Sequence, residues 1–313
     1  MSNTTINKTL FIINPKAGNG KPDELVKELK PAIAKYNIKG EFVFTANQGD
    51  AKLLTQKSIK SGIRHFVVVG GDGTLNEVVN GMFQQKEIST SGFYLGILPR
   101  GTGNDWSRYY KMPHNIDEAM KIIAGNYSIT QDIGKIEFYN HAIKNEAYFI
   151  NIAGFAFDAA VVLATNQMQE RGKRQKSAYL FNLLKCMFQH KNMHMDILVN
   201  EQKISDNIFS ISIGNGKYSG GGMVQTPNAV INDGILDVTV YLNLKKIAII
   251  KNVSKLYNNK ILEVKGVRSY KTDNLTIKTP SISIAEIDGE IIEGNIFNIS
   301  VISNSLNILV PQE

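Results

Sequence analysis

Short apolar runs alternate with stretches of helical periodicity over roughly the first 130 residues, and this alternation restricts the fold more than any other feature. The β-type runs predict strands at residues 10–13, 42–45, 65–69 and 94–98. Apolar residues at helical spacing predict helices near residues 22–36, 50–61 and 75–83. A strand–helix–strand order predicts a parallel sheet with helices on its faces. We therefore expect an N-terminal Rossmann-like, three-layer α/β domain.

The pattern changes after about residue 135, where helical stretches become the exception. Two of them, near residues 157–170 and 177–190, interrupt a series of short β-type runs. The predicted strands lie at residues 193–199, 208–213, 236–242, 275–277 and 282–287. Asn-Gly, Asp-Gly and Ser-Gly turn signals separate them, which is typical of antiparallel pairing.

These two textures predict two domains. Residues 1–134 would form the α/β domain, and residues 135–313 an antiparallel sandwich or barrel. The last predicted strand is free to return to the first domain.

Charge and composition narrow the class of partner. Lysine and arginine total 35 against 28 acidic residues, a net charge of +7, which favours an anionic partner. No zinc-finger, helix-turn-helix or RNA-recognition pattern is present, so we expect no nucleic-acid partner. The sequence lacks both an apolar run long enough to span a bilayer and the apolar core of a secretory signal. With a single cysteine, Cys186, these features predict a cytoplasmic protein.

A run of three valines leads directly into Gly-Gly-Asp-Gly-Thr at residues 70–74, and helical periodicity follows. Glycines let backbone amides approach an anion, and the start of a helix adds the positive end of its dipole. An empty strand-to-helix turn explains this short motif equally well when it is taken alone. Asp72 favours a phosphate site with a cation or base chemistry, because a carboxylate would otherwise repel the anion.

Two further glycine-bearing loops follow predicted strands of the same sheet. Asn-Pro-Lys-Ala-Gly-Asn-Gly-Lys at residues 14–21 follows the first strand, and Pro-Arg-Gly-Thr-Gly-Asn-Asp at residues 99–105 follows the fourth. Because the carboxyl ends of parallel strands meet at one crevice, the three loops predict a single binding site. None has the spacing of a Walker P-loop or a Rossmann fingerprint, so the site is a nucleotide site of another kind.

Together these motifs resemble the diacylglycerol kinase catalytic family, which includes soluble bacterial lipid kinases and is related to the sphingosine kinases. The resemblance implies an ATP-dependent lipid kinase that transfers the γ-phosphoryl group to a lipid hydroxyl, with diacylglycerol converted to phosphatidic acid. A phospholipid headgroup, a polyprenol or a sphingoid base stays open as the acceptor. An NAD kinase, and a nucleotide- or lipid-binding regulator without catalysis, are the alternative functions.

The resemblance implies that residues 1–134 are the nucleotide-binding catalytic domain and that residues 135–313 form a β-sandwich that binds lipid and metal. It also implies roles for individual residues in the first domain. The implied ATP contacts are Asn14, Pro15, Lys16, Ala17, Gly18, Thr45, Gly70, Gly71, Asp72, Gly73, Thr74, Leu75, Asn76 and Thr102. Asp105 and Asp132 fall where the family has acids that bind Mg²⁺ or its waters, so both are candidate catalytic residues.

In the second domain, Asp-Gly at residues 233–234 and 288–289 predicts two hairpin turns from the residues alone. If the second segment stays extended, Asp288 and Glu290 point the same way. The resemblance implies that Glu290 accepts the proton of the lipid hydroxyl with Asp288 in support, while Asp72 and Asp132 remain competitors for that role. It also implies an Mg²⁺ held by the Asp233 side chain and the carbonyls of Val230 and Ile235.

Basic residues cluster between the two helical stretches of the second domain, at Arg171, Lys173, Arg174 and Lys176. A solvated loop is the default interpretation of such a run. For a kinase whose lipid substrate lies at a membrane surface, the cluster predicts peripheral contact with the inner face of the membrane. The sequence leaves open whether the chain forms a homodimer.

Overall fold

The computed structural model describes residues 8–17, 22–170 and 185–312. The chain divides into two compact units. The first contains the residues up to Ile133 together with those from Ser303 onward, and the second contains Gly134–Ile302. The predicted fold class is confirmed: an α/β N-terminal unit is combined with a strand-rich, sandwich-like C-terminal unit. No helix among the described residues is long and apolar enough to cross a bilayer.

The first unit alternates strands and helices. Its elements are β1 (Thr9–Ile13), α1 (Pro22–Lys35), β2 (Gly40–Phe44), α2 (Asp50–Lys60), β3 (His65–Gly70), α3 (Asp72–Gln84), β4 (Tyr94–Pro99), α4 (Asp105–Tyr109) and α5 (Ile116–Gly125). β5 (Ser128–Asn140) begins in this unit and continues into the second.

Parallel pairing joins the strands of the first unit in the order β2, β1, β3, β4, followed by the end of a long C-terminal strand. Every residue of β1 and β3 is buried, as expected for parallel strands covered on both faces. This packing fixes the strand ends, and the loops that follow β1, β3 and β4 carry the predicted site.

The second unit is built mainly from antiparallel strands. Its elements are β6 (Ile143–Phe149), β7 (Ile152–Ala156), α6 (Phe157–Glu170), β8 (Met193–Val199), β9 (Gln202–Gly214), β10 (Tyr218–Ser219), β11 (Met223–Val224), β12 (Leu236–Leu242), α7 (Lys246–Tyr257), β13 (Val267–Thr272), β14 (Asn274–Ile287) and β15 (Glu290–Leu309). Residues 185–189 are also helical. The last part of β15 belongs to the first unit.

Two long strands of the second unit, β9 and β14, take part in both layers. Each pairs with β8 through its first half and with β7 through its second half. The apolar residues enclosed by this arrangement form one buried cluster, in which Phe149, Phe155 and Phe297 are the largest members. The unit therefore has a sandwich-like core.

The sequence divided β14 into two strands, at residues 275–277 and 282–287, but the structure has one. Pro280 lies between these runs and has no amide to donate. The pairing with β15 shifts between Lys278 and Ser283, so the strand passes the proline at an irregularity instead of ending there.

Candidate active site

Three loops at the carboxyl end of the first unit's sheet are in direct contact. The Asn14 amide donates to the Val69 carbonyl at 3.0 Å, and its side-chain Nδ2 donates to Thr74 Oγ1 at 3.2 Å. The Arg100 amide donates to the Gly70 carbonyl at 2.8 Å. The predicted convergence of the loops after β1, β3 and β4 is therefore present.

Glycine is required where the second and third loops meet. A Cβ on Gly71 would lie 2.8 Å from the Cα of Gly101, and a Cβ on Gly101 would lie 2.5 Å from the Cα of Gly71. Helix α3 begins immediately after, and Gly71 offers no side-chain cap to its first amides. A loop without side chains, next to the free backbone amides at a helix N-terminus, is a suitable site for a phosphate group.

The carboxylate of Asp72 holds the start of α4. Its Oδ2 accepts the Asp105 amide at 3.2 Å, and its Oδ1 accepts the Trp106 amide at 3.4 Å. A Cβ on Gly103 would lie 3.1 Å from Asp72 Oδ2 and 3.2 Å from Asp105 Oδ2. Both carboxylates therefore face one point beside the loop, an arrangement that suits a hard cation.

Asn104 and Asp105 fix the third loop. Asn104 adopts a left-handed conformation, with φ of 51°, and its side chain exchanges two hydrogen bonds with the Gly101 backbone, at 2.9 and 2.8 Å. Asp105 is buried and lies 3.8 Å from Arg108. Thr102, a predicted ATP contact on the same loop, is exposed.

The remaining predicted contacts of the first loop form a tight turn. The Lys16 amide donates to Asn14 Oδ1 at 2.9 Å, and the Ala17 amide donates to the Asn14 carbonyl at 3.0 Å. Thr45 is buried beside the same strand, since its amide donates to the Ile13 carbonyl at 3.0 Å. Gly18 lies outside the described residues.

Asp132 is fully buried in β5, and its Oδ1 accepts the Asn304 amide at 2.6 Å. The adjacent Gln131 accepts hydrogen bonds from the Trp106 indole in the first turn of α4 and from the Tyr110 hydroxyl just after this helix. Burial raises the pKa of Tyr110 well above its usual range, with Tyr109 and Asp132 adding to the effect. Asp132 therefore lies near Tyr110, just after α4, and its hydrogen bond with the Asn304 amide gives it a structural role besides the predicted one.

Glu77 contributes a contact that the sequence did not reveal. Its carboxylate accepts the Gly49 amide at 2.8 Å and the Ala51 amide at 2.9 Å. The helix that follows Thr45 is thereby attached to the helix that follows the glycine turn. The Gly-Asp-Ala run at residues 49–51 was the one sequence feature that pointed to this contact.

In the second unit, Asp288 differs from its predicted orientation. It lies in a two-residue hairpin turn between β14 and β15, with positive φ at both Asp288 (49°) and Gly289 (95°). The segment is thus not extended, and the expectation that Asp288 and Glu290 point the same way does not apply. Instead the Asp288 carboxylate accepts three backbone amides, those of Ile150 (2.7 Å), Asn151 (3.0 Å) and Ile152 (2.9 Å).

Two further side chains hold this hairpin. Glu286 Oε2 accepts the Gly289 amide at 3.0 Å, and Asn166 Nδ2 donates to the Gly289 carbonyl at 3.0 Å. Burial raises the pKa of Glu286 well above its usual range, and the nearby Asp158 and Asp288 add to this. Glu290, the predicted base, follows as the first residue of β15 and is partly exposed. The strongly fixed turn gives Glu290 a defined position.

The predicted metal turn is not a β-hairpin, because β12 after it pairs with β9 and β13. Asp233 Oδ1 accepts the Ile235 amide at 3.1 Å, and both Asp233 and Val230 are exposed. The nearby Asp237 is buried, and neither of its carboxylate oxygens has a hydrogen-bond partner among the described residues. Carboxylate oxygens suit a hard divalent cation, and the positive charges of Lys271 and Lys217 also act on the carboxylate of Asp237. The described part of the chain contains no group of three or more His, Cys, Asp or Glu side chains that could hold a metal ion.

The basic cluster at Arg171, Lys173, Arg174 and Lys176 lies outside the described residues.

Comparison with protein families assigns most of the chain to two models. Residues 8–136 match the diacylglycerol kinase catalytic domain. Residues 151–310 match the YegS C-terminal NAD kinase β-sandwich-like domain, which covers just over half of the chain.

Curated relatives match over nearly the full length. A protein of Yersinia enterocolitica named "Probable lipid kinase YegS-like" is 28% identical over 305 residues, covering 97% of each chain. An Escherichia coli protein named "Probable lipid kinase YegS" is 27% identical over 319 residues, covering 97% of this chain and 96% of the relative.

Solved structures show the same fold. A chain titled as a diacylglycerol kinase of Bacillus anthracis superposes with a TM-score of 0.74 at 24% identity, covering 99% of this chain and 98% of that one. Yeast NADH kinase has a TM-score of 0.56 at 11% identity, covering 99% of this chain and 85% of its own.

Proposed function

This chain belongs to the family of lipid kinases that combine a diacylglycerol kinase catalytic domain with a YegS-type C-terminal domain, and on that premise we propose that it phosphorylates diacylglycerol to phosphatidic acid. ATP is the phosphoryl donor of this family of kinases. Diacylglycerol as the acceptor and the roles of individual residues are proposals.

The contact between Gly71 and Gly101 is the observation that carries the proposal. It brings two glycine loops together beside the N-terminus of α3, with the carboxylates of Asp72 and Asp105 facing one point next to them. Backbone amides and a helix dipole suit the phosphates of ATP. The paired acids suit the cation that accompanies a nucleotide.

We assign nucleotide binding to the first unit. The loops that contain Asn14, Gly71 and Gly101 hold the phosphates, and Asp72 and Asp105 would hold the Mg²⁺ that accompanies the nucleotide. Bound there, Mg²⁺ would neutralise the charge that develops on the transferring phosphoryl group. Asp72 also accepts two backbone amides at the start of α4. The same carboxylate therefore positions this helix and contributes negative charge to the site.

We assign proton acceptance to Glu290 of the second unit. The lipid hydroxyl oxygen forms a bond to the γ-phosphorus, the bond from that phosphorus to the β–γ bridging oxygen breaks, and ADP leaves. The hydroxyl proton passes to the Glu290 carboxylate. A loose phosphoryl transition state requires orientation and modest proton acceptance, which a carboxylate can provide. Asp288 is occupied by three amides, which favours a positioning role for it.

The acceptor is tested with ATP labelled at its γ-phosphoryl group and mixed micelles of candidate lipids. Diacylglycerol, a phospholipid, a polyprenol and a sphingoid base are compared as separate acceptors under the same conditions. We expect diacylglycerol to give the fastest labelling. Faster labelling of another lipid would replace diacylglycerol and leave the lipid kinase assignment intact.

NAD is included as an acceptor because the fold also resembles yeast NADH kinase. At 11% identity this likeness concerns the fold alone. Labelled NAD without any labelled lipid would overturn the proposal. ATP binding without any labelled acceptor would favour a regulator.

We further propose peripheral contact with an anionic membrane through Arg171, Lys173, Arg174 and Lys176. Each exposed cation near anionic headgroups contributes about 1 kcal/mol of attraction. Neutralising all four should weaken vesicle binding at low salt. Unchanged binding would remove the cluster from the account.

A further inference from the structure

Helix α7 (Lys246–Tyr257) exposes a stripe of large apolar side chains. Ile247 is 67% exposed, Ile250 46%, Val253 37% and Tyr257 55%. Their spacing of three, three and four residues places them on one side of the helix. Phe188, 60% exposed, adjoins the start of the stripe, because Lys246 donates a hydrogen bond to the Phe188 carbonyl. Such a continuous apolar surface marks an interaction site more often than scattered residues do.

The opposite side of α7 accounts for its attachment to the second unit. Ile249 and Leu256 pack against a small buried cluster formed by Phe209, Tyr241, Ile261 and Val264. The helix therefore already has a core-facing side. The exposed stripe therefore does not contribute to the attachment of α7 to the second unit.

Lysines surround the stripe. Residues 243–265 contain six lysines and one acidic residue, Glu263. Lys255 pairs with Glu263 at 3.6 Å, while Lys245, Lys251 and Lys260 are exposed. An apolar stripe with cationic flanks is the pattern of a helix that lies in the interface of an anionic bilayer.

We propose that α7 is a membrane-docking surface, with Ile247, Ile250, Val253 and Tyr257 entering the headgroup region of an anionic bilayer. The inference rests on the proposed function for its choice of partner, since a lipid kinase finds its acceptor in a bilayer. The helix would be a second membrane contact, separate from the one proposed for residues 171–176.

Charge decides between a bilayer and a second copy of the chain. Two copies joined through the same helix in a two-fold dimer would bring two sets of six lysines together. Like charges at such an interface oppose association. An anionic bilayer offers negatively charged headgroups to the lysines that flank the stripe, and hydrocarbon to the apolar side chains of the stripe itself.

Binding is measured by co-sedimentation with vesicles of phosphatidylcholine alone and of phosphatidylcholine mixed with phosphatidylglycerol. The full chain is used without ATP and without diacylglycerol, so the result is independent of which acceptor is phosphorylated. We expect stronger binding to the mixed vesicles. The double variant Ile247→Ser/Ile250→Ser should lower the partition coefficient about tenfold or more. Serine has a helix propensity similar to that of isoleucine, so the helix should persist.

The matched control is Leu198→Ser combined with Lys203→Gln. Leu198 is 50% exposed and lies opposite Lys203 on the β8–β9 hairpin, so this variant also removes an exposed apolar side chain and a lysine. We expect it to bind like the wild type. Lys251→Gln with Lys260→Gln should weaken binding several-fold and flatten its salt dependence.

A fluorescent reporter localises the contact. Tyr257→Trp places an indole on the stripe, and the only native tryptophan, Trp106, is 1% exposed in the first unit. The emission of the introduced indole should shift to the blue when anionic vesicles are added. No shift while the protein still co-sediments would overturn the proposal, as would unchanged binding by the isoleucine double variant. A wild type that ignores vesicles but self-associates, with the double variant monomeric, would assign the stripe to a second copy instead.

Discussion

At the residue scale, the site depends on side chains that combine a structural contact with a chemical one. Asp72 is the clearest example, because its two oxygens accept amides at the start of α4 while it faces the loop beside Asp105. Replacing it can therefore change either the helix start or the charge at the site. Two substitutions separate these effects.

Asp72→Asn should fold like the wild type, because the amide oxygen can still accept from the α4 backbone. Its turnover should fall about a hundredfold or more, since the charge that orients the nucleotide is lost. Asp72→Ala should lose turnover and also about 1 kcal/mol of stability, the usual cost of a lost cap. Steady-state kinetics and urea unfolding report the two effects. Near-normal turnover in the asparagine variant would remove Asp72 from the mechanism.

Asp288 is predicted to matter first for stability. Its carboxylate accepts three backbone amides, and an asparagine in its place would leave at least one of them without an acceptor. Asp288→Asn should therefore lower the free energy of unfolding by about 2–3 kcal/mol. Asp273→Asn, at an exposed position, is the control and should be nearly neutral. Equal unfolding midpoints for the two variants would contradict this role.

At the element scale, helix α6 is attached to the second unit's sheet through a desolvated acid in its first turn. Asp158 accepts the Ser212 hydroxyl at 2.7 Å and approaches the Gln225 amide nitrogen at 3.4 Å. Burial raises the pKa of Asp158 to about 6, although hydrogen bonds with Ser212, Ser210 and Gln225 oppose the shift. Because the folded state favours the protonated form, this group's contribution is largest below its unfolded pKa of about 4. The contribution is lost as the pH rises through about 6.

The pH dependence of Asp158→Asn tests this attachment. At pH 7 the variant should be more stable than the wild type, by on the order of 1–3 kcal/mol, with the low end favoured because Asp158 is partly exposed. Near pH 4 the two proteins should have similar free energies of unfolding. Urea titrations at both pH values provide the measurement, and a difference that does not change with pH would contradict the assignment.

The turn before β12 gives a prediction about metal. Without ATP, Mg²⁺ should raise the unfolding temperature of the wild type, because a cation bound only to the folded state stabilises it by mass action. Asp233→Asn should abolish that response, and a chelator should reverse it in the wild type. Asp206→Asn, on β9, is the control and should respond normally. A full Mg²⁺ response in the Asp233 variant would place the cation elsewhere.

At the scale of the whole molecule, the sequence predicted the elements whose signals are local. The valine run before the glycine turn, the helix after it and the two neighbouring glycine loops all lie within short stretches, and the structure brings these loops together. The fold class followed from the same alternation. The predicted roles of the site residues remain predictions.

Features that depend on packing between distant segments could not be predicted from local sequence patterns. Glu286 lies within the strand predicted at residues 282–287, but nothing in that pattern indicated that it would be buried over Gly154, next to Asp158 of α6. Asp288 was expected in an extended segment, but amides more than a hundred residues away in sequence determine its orientation. Helix α7 was missed because apolar residues lie on both of its sides, which removes the one-sided periodicity that indicates an amphipathic helix.

The most direct test of the account is the transfer of label from ATP to diacylglycerol in mixed micelles, measured for the wild type and Asp72→Asn side by side. The account predicts labelled phosphatidic acid from the wild type, at a rate at least about a hundredfold above that of the variant. Labelled NAD with no labelled lipid, or equal rates for the two proteins, would contradict it.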